Sequence, residues 1–137
     1  MNKQITARRR HGGFTLIELM IAIVIVAILL AIALPGFQNQ MIRGHRSAAQ
    51  SEMLEIANRQ KQFLLSDRAY ATKATLTAGG YALPADIAKH YDYDVTIPAS
   101  TIPAFTITFT PKGAQASDGA LTLDSEGVKT PVAKWER

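Results

Sequence analysis

The stretch "RRRHGGFTLIELMIAIVIVAILLAIALPGF", residues 8–37, decides how this chain is built. A basic block and a glycine pair lead into an apolar run, Phe14 to Leu34, whose one charge is Glu18 and whose one other polar side chain is Thr15. As a helix rising about 1.5 Å per residue, that run spans roughly 31 Å, the hydrocarbon thickness of a bilayer. Lys and Arg precede the run, and none occurs between Phe14 and Ile42. Basic flanks stay inside, which predicts residues 1–13 in the cytoplasm and the rest of the chain facing outward. A carboxylate in such a segment costs about 2.5 to 3.5 kcal/mol on insertion scales, so Glu18 calls for a partner or a function.

The remaining bulk properties narrow the field. A chain of 137 residues is long enough for one small core and too short for two. The formal net charge of +4 and isoelectric point near 9.6 would ordinarily direct attention to nucleic acid. Lys3, Arg8, Arg9 and Arg10 account for that excess; beyond Gly13 the Lys and Arg equal in number the 11 Asp and Glu. The chain has no cysteine, which excludes disulfides, thiolate catalysis and sulfur-ligated zinc.

"GGFTLIELMIAIVIVAILLAIALPGFQ" resembles the class III signal and first helix of type IV pilins, minor pilins and the related type II secretion pseudopilins. The resemblance implies an α+β fold, in which a long N-terminal helix packs on a small antiparallel sheet. It also implies cleavage by a prepilin peptidase between Gly13 and Phe14, with methylation of the new amine of Phe14 and filament assembly through Glu18. The partners implied are that peptidase and methylase, other pilin subunits, inner-membrane assembly machinery, and the lipid bilayer before assembly. The localisation implied is the inner membrane with a periplasmic head, then a surface pilus serving adhesion and twitching motility. The physics of the glycines agrees. Gly12 and Gly13 each disfavour helix by about 1 kcal/mol relative to alanine and leave the scissile bond unobstructed. Cleavage would also place an ammonium in the same low-dielectric layer as the Glu18 carboxylate. The sequence leaves open whether that pairing is within one subunit or between neighbours.

The expected layout is a leader at 1–13, a membrane-spanning or filament-core helix half at 14–36, and a periplasmic head at 37–137. Pro35 and Gly36 predict a kink without termination. From Gln38 to Leu65 the apolar positions Ala49, Met53, Ile56, Phe63 and Leu64 mark an amphipathic continuation. Residues 66–89 read as a connecting loop with a short helical turn after Pro84, and Tyr70 as its aromatic anchor. Three alternating stretches, "HYDYDVTI", "AFTITFT" and "ALTLDSEGVKT", predict strands with one buried face, the last turning at Gly127. In place of the disulfide common in the resembled family, Val132 and Trp135 are expected to hold the C-terminal loop by packing.

Two other readings compete. One is a pseudopilin of a type II secretion system; the other, from a different class, is a secreted binding domain released after Ala33. Catalytic, metal and cofactor sites are not expected. Asp92 with Asp94, and Asp118 with Asp124 and Glu126, read as solvated faces and turn chemistry, and His11, His45 and His90 lack ligand spacing. Arg43, Arg46, Arg59, Lys61 and Arg68 are interleaved with Glu52, Glu55 and Asp67, so nucleic acid is not expected as a partner.

Overall fold

The computed structural model describes residues 12–136. Its first element is α1, Leu16–Asp67, a single 52-residue helix with Pro35 inside it. The expected continuity through Pro35 and Gly36 is therefore present. The leader expectation for residues 1–11, His11 included, lies outside the described residues. Two compact units meet within α1, one ending at Gln38 and the other spanning Asn39–Arg137.

In the first unit, every described residue is exposed. An 18-residue window of α1 reaches a mean hydropathy of 3.1 with none of it buried, so this half of the helix is long and apolar enough to cross a membrane.

The second unit is the head. After α1 come α2 (Lys73–Ala78), α3 (Ala85–Ala88), β1 (Tyr91–Thr96), β2 (Thr106–Pro111), a 3₁₀ turn (Gly113–Asp118), β3 (Leu121–Asp124), β4 (Lys129–Thr130) and α4 (Val132–Trp135). The strands form one antiparallel sheet in chain order, β1-β2-β3-β4, with Tyr93 opposite Phe109 and Phe109 opposite Leu121. Period-two alternation drives the choice of face. Tyr91, Tyr93 and Val95 turn inward from β1, Ile107 and Phe109 from β2, and Leu121 and Leu123 from β3. They meet Ala49, Met53 and Ile56, spaced along one stripe of α1, in a single core.

The α+β class and the antiparallel sheet match the expectation, with a fourth, two-residue strand, β4, beyond the three expected and three further local differences. Residues 66–89 contain α2 as well as the expected turn after Pro84; Thr72 caps α2 by accepting the Thr75 N–H at 3.2 Å, a T-x-x-T start too short to show periodicity. Gln60, not an apolar residue, completes the buried stripe of α1. Its side-chain amide exchanges two hydrogen bonds with the Ala71 backbone, at 2.6 and 2.7 Å, and so pins the chain leaving the helix. Val132 is more than half exposed and does not hold the C-terminal loop.

Candidate processing site and assembly surface

Gly12, Gly13, Phe14 and Thr15 precede the helix and are exposed. At Gly12 and Gly13 an added Cβ would meet no atom within 4 Å, so nothing among the described residues demands glycine there. Thr15 is the residue at which the helix begins. Its Oγ1 accepts the Glu18 N–H at 3.2 Å, and its carbonyl accepts the Leu19 N–H at 3.1 Å. Thr15 and Glu18 thus have the spacing of a capping box, in which the hydroxyl satisfies an N–H that the first turn leaves unpaired. The T-x-x-E pattern in "TLIE" carries the sequence signal for this cap. Phe14 stands 85% exposed immediately before the cap.

The exposed surface of α1 is continuous from Leu16 to Phe37, with Ile, Leu and Val 50–79% exposed along the apolar run. Apolar surface on this scale marks a face that meets lipid or protein, not water.

At the other end of the molecule's chemistry lies a polar cluster in the head. Asp118, 7% exposed, is gripped by Arg46 of α1 through Nε at 2.9 Å and through a second bond from Nη2. The Tyr91 hydroxyl donates to the same carboxylate at 3.2 Å, and Gln115 Nε2 approaches it at 3.3 Å. Gln115 also donates to the Ile42 carbonyl of α1 at 2.9 Å. Burial pushes the Asp118 carboxyl up, but the hydrogen bonds and charge of Arg46, aided by Lys134, outweigh it and hold the group below the usual carboxylate range. The hydrogen bonds to Asp118 raise Arg46 above its ordinary value, and burial foremost pushes the Tyr91 hydroxyl up to about 12. Asp118 is therefore no solvated carboxylate, correcting the expectation. It ties the segment after β2 to the long helix, which packing by Val132 does not do. Trp135 contributes as expected: it packs against the core, with Lys129 Nζ 5.1 Å above its ring.

The other carboxylates behave as turn and surface groups. Asp124 Oδ1 accepts the Glu126 and Val128 N–H groups at 3.0 and 2.9 Å across the Gly127 turn, and Asp92 pairs with Lys112 at 2.8 Å. His45 and His90, distant in sequence, stack with ring centroids 3.8 Å apart. Among the described residues no group of three or more His, Asp or Glu could hold a metal.

A long helix packed on a four-stranded antiparallel sheet, with its leading half exposed and apolar behind a Gly-Phe junction, defines the type IV pilin class. Comparison agrees at both ends of the chain. A model of the prokaryotic N-terminal methylation motif matches residues 8–34. The model described as type IV minor pilin ComP, DNA uptake sequence receptor, matches residues 35–123, well over half the chain. The chain belongs to this type IV pilin family. Among curated proteins it is 38% identical over 96 residues to the type IV major pilin PilE1 of Neisseria gonorrhoeae, covering 67% of this chain and 55% of that one. It is 40% identical over 62 residues to the type IV major pilin PilA of Myxococcus xanthus, covering 45% and 28%. A fimbrial protein of Pseudomonas aeruginosa is 36% identical over 67 residues, covering 49% and 44%. The chain thus spans between about a quarter and just over half the length of these relatives. No solved structure matches it.

Proposed function

We propose that this chain is a structural subunit of a type IV pilus, cut between Gly13 and Phe14, methylated on Phe14, held in the inner membrane by residues 14–36, and then assembled through that helix half. The observation that carries this reading is the exposed apolar surface from Leu16 to Phe37, which has no use in water. The open space around Gly12 and Gly13 supports it, because a glycine the fold does not need is explained by an enzyme that must approach the backbone closely. Cleavage leaves a protonated amine beside Glu18, and an unpaired carboxylate in lipid is costly enough to make addition of the next subunit depend on their pairing.

Two measurements test it. The exported protein is expected to lose residues 1–13 and gain one methyl group by intact mass; loss of 33 residues would assign it to a secreted domain instead. Glu18→Gln, trimmed and inserted normally, is expected to enter filaments at least tenfold less well, and equal incorporation would remove the assembly role.

A second reading follows from the description of the matching family, a DNA uptake sequence receptor. In this head Arg46, Arg59 and Lys112 are engaged by Asp118, Glu55 and Asp92. Arg43, Lys61, Arg68, Lys73 and Lys129 have no ion-pair partner among the described residues, so these are the cations that phosphates would meet. Duplex binding that weakens linearly with the logarithm of salt, and weakens further in Lys61→Gln or Lys129→Gln, would support a receptor role; salt-independent or absent binding would leave the subunit role alone.

A further inference from the structure

A cleft of about 340 Å³ lies in the head between α1 and the 3₁₀ turn, lined by Asn39, Ile42, Arg43, Arg46, Ser117 and Asp118. Its charge is unbalanced. Arg46 spends its Nε and Nη2 on Asp118, leaving Nη1 outside that pair, and Lys134 Nζ stands 3.9 Å from the same carboxylate. Arg43 is exposed and has no ion-pair partner among the described residues. Arg46 and Lys134 thus flank the Asp118 carboxylate, and Arg43 adds an unpaired cation to the cleft wall. With the Asn39 amide and the Ser117 hydroxyl on the same walls, the cleft offers several donors, guanidinium forks among them, to a tetrahedral oxyanion.

The chain also says where such an anion is met. Arg43 follows Leu34, the end of the apolar run, by only nine residues of chain. The headgroup layer is the anionic surface that this part of the chain is obliged to adjoin. We propose that the cleft takes the phosphate of an anionic phospholipid while the subunit waits in the membrane, steadying the base of the head. This rests on the reading that residues 14–36 insert into a bilayer.

The test uses the full chain reconstituted into nanodiscs of phosphatidylcholine alone or mixed with phosphatidylglycerol, with retained lipids counted by native mass spectrometry. The parent is expected to retain phosphatidylglycerol in preference to phosphatidylcholine. Arg43→Gln, which removes an exposed and unpaired side chain, is expected to melt like the parent and lose that preference by about fivefold or more. Lys61→Gln should keep it. Equal retention by parent and Arg43→Gln, or equal loss in Lys61→Gln, overturns the proposal. So does displacement of the lipid by millimolar inorganic phosphate or by a short DNA duplex, which would assign the cleft to free phosphate or to nucleic acid. Flotation with vesicles of either composition separates the two readings. A chain that floats with neither overturns membrane insertion and this inference together; one that floats with both yet shows no lipid preference overturns this inference alone.

Discussion

The two halves of α1 share a backbone conformation and differ in almost everything else. From Leu16 to Phe37 the helix buries nothing, while from Asn39 onward Ala49, Met53, Ile56 and Gln60 are fully covered by the sheet and the chain that follows. The first half is nearly uniform in chemistry, so no stripe distinguishes one face from another; the second has a narrow apolar stripe and charged flanks. A helix apolar all round has been selected for an apolar surrounding, and one apolar on a single face for a single packing partner. One half is thus complete only in company, the other already complete.

That contrast can be broken at several points. The largest effect is expected in the head core: Phe109→Ala should destabilise the head by about 3 to 5 kcal/mol, read by thermal melting in detergent, without changing membrane retention. Asp118→Ala should cost a similar amount, about 3 to 5 kcal/mol, because it strands Arg46 in a partly buried site. The reverse dissociation is expected from Ile25→Arg, which should weaken insertion by about 2.5 to 3.5 kcal/mol in a membrane-partition assay and leave the melting of the head unchanged. A core variant that loses the membrane, or a span variant that melts the head, would show the halves to be coupled.

Two smaller effects sharpen the picture. Burial first, then the neighbouring His45 and Lys89, lowers the His90 pKa, with Asp86 opposing. The folded head therefore favours neutral His90. Its contribution is fully present above the unfolded value near 6.5 and is lost as pH falls from there through the lowered folded value. His90→Gln should flatten that part of the melting-versus-pH curve. Asp118, with its pKa lowered, acts in a more acidic window, its stabilisation present above the ordinary carboxylate value and lost below it. The smallest effect is expected from Gly36→Ala, where an added Cβ meets nothing within 4 Å; helix stability should rise by about 1 kcal/mol or less, measured by amide exchange around Pro35.

How much of this could be read from the sequence follows the same division. The apolar run was legible because its chemistry is local: each residue of 14–34 other than Thr15 and Glu18 is apolar by itself. The strands were legible because Tyr91, Tyr93 and Val95 alternate against Asp92, Asp94 and Thr96. What escaped notice depended on pairs far apart in the chain. Asp118 looks like any turn aspartate until Arg46 is folded against it, and His45 and His90 look unrelated until α1 is laid beside the corner before β1. Gln60 reads as a break in an apolar stripe because its partner, the backbone of Ala71, has no side-chain signature.

The sheet's two margins carry a last consequence. One is β4, only two residues long; the other is β1, whose outward-facing Asp92 and Asp94 carry charge and whose Tyr93 carbonyl is taken by Lys73 Nζ at 2.8 Å. One margin is short, and the other is flanked by charge and has one of its carbonyls already taken, both of which disfavour pairing with a stranger. Crowding many copies together through their helices therefore meets edges that disfavour runaway strand pairing, and a fibre built this way can be dense without becoming amyloid.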